Sequence, residues 1–165
     1  MKDALTAERL RELLRYDPTT GVFTWRVNRG RVAHGDVAGS INCDGYVRIR
    51  LDGVEYLGHR LGWLYVKGVW PVDRIDHRNC IRDDNRFSNI REATVRQNNR
   101  NTLVRSSSRS GLKGASFDRV RGRWRSQIHV AGRQRYLGIF DTAAEAHAAY
   151  CEAAIEVDPD FARLA

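Results

Sequence analysis

The chain predicts an α+β fold of small antiparallel sheets and short helices, on three observations. Residues 123–130, RWRSQIHV, alternate polar with apolar and lead on to an alanine-rich stretch with helical spacing. Residues 46–51, YVRIRL, also alternate and run into an Asp52-Gly53 hairpin turn. Between them, residues 74–98 read as strand, polar loop, strand and helix. A period of two marks a half-buried strand and a period of 3.6 a helix, so the chain mixes both. At 165 residues it can hold two small domains but no large enzyme core.

Taken in order, residues 5–16 predict an amphipathic helix whose apolar set is Leu5, Leu10, Leu13 and Leu14, with Thr6 as its cap. Asp17-Pro18-Thr19-Thr20-Gly21 is a turn. Residues 22–27, 46–51 and 55–57 predict strands, with Arg48 and Arg50 on the polar side of the second. Residues 59–66 predict a helix ended by Gly68 and Pro71, and His59 reads as a helix-start histidine satisfied by hydrogen bonds rather than as a metal ligand.

Next come a short strand at 74–76, a polar loop at 78–86 and a return strand at 89–91. Thr94 then caps a helix that carries Asn98, so that Asp76 and Asn98 are expected to face each other across a strand-helix contact. In the C-terminal third, Gly114, Gly122 and Ala131-Gly132 punctuate three strands. Asp141 or Thr142 caps a helix in which Ala143, Ala146, Ala149, Tyr150 and Ala153 form a face of mostly small residues able to lie close on the sheet.

The stretch 73–101, DRIDHRNCIRDDNRFSNIREATVRQNNRN, sets chemistry at fixed intervals. Asp76 directly precedes His77, Asn89 follows His77 by twelve residues, and Asn98 follows Asn89 by nine. An imidazole that titrates near neutrality is a suitable general base for a water that attacks phosphorus. Asp76 and Asn98 offer oxygen ligands, and so small an oxygen set suits one Mg²⁺ (or Mn²⁺) per site that keeps waters and takes phosphate oxygens. Alone, an Asp-His pair is an ordinary turn and an Asn-rich run an ordinary helix end; the four positions together resemble the HNH nucleases. The branch resembled is the phage and intron-encoded one, in which the final His is replaced by Asn. The resemblance implies a ββα-metal finger with His77 as general base, Asp76 and Asn98 on the metal, and Asn89 bonding the loop backbone so that the base stays oriented. The strings YDPTTGVFTW, GDVAGS, GYVRIR and HRLGWLYVKGVWP resemble the leader that precedes the finger in phage HNH proteins. That leader is expected to pack on the finger and to add DNA contacts through Arg48 and Arg50.

Residues 111–154 carry a second resemblance, to the plant APETALA or ethylene-response-factor DNA-binding domain, through Lys113-Gly114, Trp124, Ile128, Tyr136-Leu137-Gly138-Ile139-Phe140 and Asp141-Thr142-Ala143. It implies a three-stranded antiparallel sheet packed on one helix, with the other sheet face on DNA. The DNA-facing positions carry over to Lys113, Ser116, His129 and Tyr136, flanked by Arg119, Arg121, Arg123 and Arg125. Ser116 and His129 stand where the family has Arg, and Tyr136 where it has Trp, so the plant domain's target sequence does not transfer.

Charge fits a polyanionic partner. Residues 105–135 hold nine basic side chains against Asp118 alone, and residues 136–165 hold six acids against one base, within a chain of net +8. All but Lys2, Lys67 and Lys113 of its 28 basic residues are arginine, the planar donor suited to phosphate and guanine. Residues 99–110 read equally well as a plain tether or as a link in which Arg105 and Arg109 lie along the DNA backbone or a minor groove. Cys43, Cys80 and Cys151 have no CxxC spacing, so neither a disulfide framework nor a zinc knuckle is expected. No apolar run nears membrane-spanning length, and the acidic N-terminus does not read as a signal peptide.

The sequence therefore predicts a helix-and-sheet region at 1–58, an HNH finger at 59–104, a linker at 105–112 and an APETALA-like domain at 113–165. The expected function is a phage-encoded, homing-type DNA endonuclease of the host cytoplasm, monomeric or weakly dimeric, acting on double-stranded DNA. The alternative is a DNA-binding regulator with an inactive finger; a packaging or defence nuclease would share the chemistry.

Overall fold

The computed structural model describes residues 5–104 and 108–162, so Arg105 lies outside the described residues. The chain divides into two compact units, Met1–Val95 and Arg96–Ala165.

In the N-terminal unit, α1 (Ala7–Leu13) starts at Thr6, whose hydroxyl accepts the Arg9 amide at 3.2 Å. The predicted helix over 5–16 ends three residues early. Leu14 and Tyr16 are buried on either side of exposed Arg15, and this period of two makes residues Leu14–Tyr16 a strand, β1. It pairs antiparallel with β2 (Phe23–Trp25), Leu14 opposite Trp25 and Tyr16 opposite Phe23. A three-stranded sheet follows, ordered β3 (Ser40–Ile41), β4 (Val47–Leu51), β5 (Val54–Leu57). Asp52 and Gly53 turn β4 into β5 with φ of 48° and 83°, the left-handed pair that a two-residue hairpin needs. Then comes α2 (Gly58–Lys67), closed at Gly68.

Leu61 and Leu64 of α2, Ile49 and Leu51 of β4, and Leu10 and Leu14 are fully buried in one core. Each such side chain contributes roughly 1.5–3 kcal/mol on burial. β3 escaped the sequence reading because its two residues are exposed and too few to show a period.

A second hairpin, β6 (Arg74–His77) and β7 (Ile90–Ala93), completes this unit. The short helix α3 (Val95–Arg100) spans the division between the units. The C-terminal unit has β8 (Ala115–Asp118), β9 (Arg123–Val130) and β10 (Arg133–Phe140) in the order β10-β9-β8, all antiparallel, with α4 (Ala143–Val157) on one face. Thr142, not Asp141, caps α4, in a reciprocal pair with Glu145. Ala153, Ala154 and Tyr150 pack on Ile128, the small side chains bringing the helix close to the sheet. Among the described residues no helix is long and apolar enough to cross a membrane.

Candidate active site and nucleic-acid interface

The β6–β7 register places Asp76 opposite Arg91 and His77 opposite Ile90. Side chains alternate along a strand, so Asp76 and His77 point to opposite faces of the hairpin. Arg91 donates to Asp76 Oδ2 through both Nε and Nη2, each at 2.8 Å, with both side chains buried. Two charges in a dry setting compensate each other here, because either alone would cost several kcal/mol.

The loop between the strands is tied by asparagines. Asn89 Oδ1 accepts the Asn79 amide at 3.1 Å, while its Nδ2 donates to Asn79 Oδ1 at 3.0 Å and to the Asp84 carbonyl at 2.7 Å. Asn79 Nδ2 donates to Asp84 Oδ2 at 2.6 Å, and Arg86 Nε to Asp84 Oδ1 at 2.7 Å. The Arg86 hydrogen bond is the main reason that the Asp84 carboxyl is held down to about 2. A buried or half-buried asparagine offering both donors and an acceptor to a loop replaces the backbone pairing that the loop lacks.

His77 is buried, and Nε2 lies 3.1 Å from Asn85 Oδ1. Burial lowers its pKa, against the opposing pull of Asn85, Asp76, Asp84 and Asp83, so the ring is neutral at pH 7 and can accept a proton. His59, at the start of α2, meets the His77 ring edge-on, centroids 5.0 Å apart and planes at 86°, and Tyr46 lies 5.3 Å from His59 and 6.0 Å from His77. The reading of His59 as satisfied by hydrogen bonds is corrected: its Nδ1 is buried with no partner among the described residues, and burial pushes the ring down to about 3. The helix start that was to satisfy it is itself packed inside, with Gly58 and His59 both buried.

Asn85 was missed. It sits in the run Asp83-Asp84-Asn85-Arg86, which reads as a solvated loop, yet it is 1% exposed. Asn98, the other expected metal ligand, is half-buried on α3, in the C-terminal unit. Among the described residues no three His, Cys, Asp or Glu side chains converge as a metal cage. The donors expected here are a carboxylate and an amide oxygen, whose chemistry fits a hard, hydrated divalent ion.

In the C-terminal unit, α4 covers the face of β9 that holds Ser126 and Ile128, which leaves Arg123, Arg125, Gln127 and His129 on the opposite face. Strand pairing adds Ser116 beside Arg125, Gln134 beside His129, and Tyr136, 59% exposed, beside Gln127. Gln134 was not singled out in the sequence; its place in the register puts it on the same face as Gln127 and His129.

The basic residues differ in their engagement. Arg121 pairs with Asp118, Arg123 with Asp141 and Arg135 with Glu156, and Arg109 lies 4.5 Å over the Phe117 ring. Among the described residues Arg119, Arg125 and Arg133 have no ion pair. Lys113 donates through Nζ to the Arg100 carbonyl, and to that of Thr102 at 3.0 Å, so its ammonium caps the end of α3. Lys113, Ser116 and His129, three of the positions expected on DNA, share the lining of a cavity of about 710 Å³ with Arg96, Arg100 and Tyr150. In the N-terminal unit Arg48 pairs with Glu55, whereas the Arg50 side chain is exposed.

Comparison with known proteins agrees with this layout. Residues 56–100 match the model of an HNH endonuclease family, a segment that holds β6, β7, α2 and the whole loop of asparagines. A 47-residue stretch, 28% of this chain, is 51% identical to APETALA2-like protein 2 of Oryza sativa subsp. japonica, covering 11% of that protein. A stretch of the same length is 49% identical to the AP2-like ethylene-responsive transcription factor TOE2 of Arabidopsis thaliana, covering 10% of it. The chain thus spans about a tenth of the length of these curated relatives. No solved structure matches. The chain carries an HNH endonuclease domain at 56–100 and a short APETALA2-like similarity. Cys43, Cys80 and Cys151 are free thiols.

Proposed function

We propose that this protein is a metal-dependent, site-selective DNA endonuclease whose HNH finger cuts and whose APETALA2-like sheet selects the target. One observation carries the proposal: inside the HNH-matching segment, a neutral buried histidine is held by a side-chain hydrogen bond one residue from a buried carboxylate. His77 takes the proton of a water as the water oxygen bonds to phosphorus and the bond to the 3′ oxygen breaks. Asn89 keeps the loop that shapes the site. Asp76 and Asn98 would hold Mg²⁺ or Mn²⁺, which neutralises charge on the phosphate and the leaving oxygen when bound.

Arg119 and Arg125, with His129 and Tyr136 on the open sheet face, support binding of double-stranded DNA by backbone and base contacts. Arg121 and Arg123 would exchange an ion pair for phosphate, Lys113 and Ser116 flank the same face, and Arg48 and Arg50 would add contacts from the N-terminal unit. The sequence resemblance to phage and intron proteins supports a homing-type, phage-encoded enzyme in the bacterial cytoplasm, as monomer or weak dimer.

A second reading, a DNA-binding regulator with an inactive finger, has the Asp76–Arg91 pair in its favour, since that pair compensates the carboxylate that a cation would need. Supercoiled plasmid decides between them. Nicked or linear product that depends on Mg²⁺ or Mn²⁺ and disappears with EDTA supports the nuclease; binding without a cut under every metal condition supports the regulator.

A further inference from the structure

A nearly fully buried asparagine in a polar loop needs a physical reason, because burying an amide is costly unless its hydrogen bonds are made. For Asn85 the surroundings are specific. Its Oδ1 lies 3.1 Å from His77 Nε2, its backbone carbonyl accepts the Tyr16 hydroxyl at 2.6 Å, and its amide donates to the Asp83 carbonyl at 3.0 Å.

Space for it is made by two residues that lack side chains. A Cβ at Gly21, where φ is +76°, would meet the Asn85 carbonyl carbon at 2.4 Å. At Gly58 it would come within 2.9 Å of Asn85 Nδ2. On the far flank His59 and Tyr46 close on the His77 ring, and the Arg82 guanidinium covers Tyr46 at 5.2 Å. Strand β1, the turn at Gly21 and the start of α2 therefore converge on one loop residue. The N-terminal region is built as a clamp around Asn85.

A neutral imidazole has one N–H and one lone pair, and which nitrogen has which is set by its hydrogen bonds. An amide oxygen only accepts. We propose that Asn85 is a positioning residue that holds His77 in the Nε2–H tautomer, so that Nδ1 is the atom that accepts the water's proton. The proposal rests on the reading of His77 as general base. In the step, the water oxygen bonds to phosphorus, its proton goes to Nδ1, and the bond to the 3′ oxygen breaks, that oxygen taking a proton from solvent. The imidazolium keeps its Nε2–H on Asn85 Oδ1 and later returns the Nδ1 proton to solvent. In the other tautomer an N–H would face the water and the ring could not act.

The test uses the full chain, and its first arm needs no variant. Long-range ¹H–¹⁵N correlation at neutral pH shows which ring nitrogen of His77 bears the proton; Nε2–H is expected, and Nδ1–H overturns the proposal. The second arm compares Asn85→Leu, which keeps size but removes the acceptor, with Asn85→Asp, which keeps an acceptor oxygen. Single-turnover nicking at saturating DNA and Mg²⁺ is expected to fall on the order of 100-fold in Asn85→Leu, the lower part of what a general base supplies, with DNA affinity close to the parent's. Asn85→Asp should keep the Nε2–H tautomer and recover most of the rate. Parental cutting by Asn85→Leu, or equal loss in both variants with the tautomer unchanged, overturns the positioning role alone. Parental cutting by His77→Ala overturns the general-base reading and the proposal with it. Should Asn85→Leu not fold, the parent spectrum and Asn85→Asp still decide.

Discussion

Tyr16 donates its hydroxyl to the backbone carbonyl of Asn85 at 2.6 Å, a buried bond between residues 69 positions apart. A strand at the start of the chain thus holds the loop that carries the candidate base. Tyr16→Phe would keep the ring contacts with Phe23 at 4.6 Å and Tyr65 at 5.6 Å but leave the carbonyl unpaired. An unsatisfied buried acceptor costs about 1–3 kcal/mol. The expected outcome in urea denaturation is a loss of that size, with nicking reduced more than DNA affinity. An unchanged midpoint would show that the Asn85 carbonyl finds another donor.

His77→Ala is expected to abolish strand cleavage while DNA binding is kept, because the base supplies on the order of 100- to 10,000-fold in rate and little affinity. Gel-shift titration beside plasmid nicking measures both at once. Cleavage at the parental rate would remove His77 from the mechanism.

Metal dependence separates the roles of three residues. Asp76→Ala and Asn98→Ala should each raise the Mn²⁺ concentration needed for half-maximal nicking, since so few protein oxygens leave no redundancy. Asn89→Ala should act otherwise: it deletes the bonds to the Asn79 amide and the Asp84 carbonyl, so the loop loosens. Faster amide exchange in the loop at an unchanged metal midpoint is its expected signature. Arg91→Ala should cost stability heavily, about 3–5 kcal/mol, by removing the guanidinium paired with buried Asp76. A divalent ion that binds with parental affinity to Asp76→Ala and Asn98→Ala alike would overturn the ligand assignment.

Stability should fall in acid, and the sign follows from His59. Its folded pKa is about 3 against the 6.5 of an ordinary imidazole, so between those values the unfolded chain binds a proton that the folded one refuses. Its contribution is fully present above pH 6.5 and is lost progressively down to pH 3. His77 is lowered too and acts in the same sense, and Asp84, lowered to about 2, adds a further loss below pH 4. Chemical denaturation of the parent and of His59→Phe at pH 4.5 and 7 checks this. The variant should show a flatter pH dependence, and an equal slope in both would mean that His59 is hydrated in solution.

Much of this was legible from residues alone, for reasons that also explain the failures. Strands β4 and β9 and helix α4 announce themselves because burial on one face imposes a period, and Thr142 with Glu145 marks a helix start in local sequence. The Asp76-His77-Asn89-Asn98 spacing is equally local. Asn85 and His59 were not legible in their real state. Their burial is imposed by Tyr16, Gly21 and the start of α2, far away in sequence, and Asn85's neighbours Asp84 and Arg86 are as polar as any turn. Leu14–Tyr16 failed by competition, an apolar run continuous with a helix but claimed by pairing with Phe23–Trp25.

Arginine engagement makes the last prediction. Arg119 and Arg125 carry basic charge that no carboxylate claims among the described residues, whereas Arg121 and Arg123 must release Asp118 and Asp141 before meeting phosphate. Each neutralised phosphate adds about 0.9 to the slope of log affinity against log salt. Arg119→Gln, in the turn between β8 and β9, should lower the slope by about that much and weaken binding alike for all sequences. Arg125→Gln lies on the sheet face with Gln127 and His129, where base edges are read, so it should relax sequence preference at the target more than it changes the slope. Arg121→Gln and Arg123→Gln should change the slope less, since in the parent Asp118 and Asp141 already neutralise part of the charge that those arginines bring to phosphate. Fluorescence anisotropy across a salt series, on a selected target and on scrambled DNA, gives slope and preference together. If all four variants shift the slope equally and none alters preference, the open face of the sheet holds DNA without reading it, and target choice belongs to the N-terminal unit.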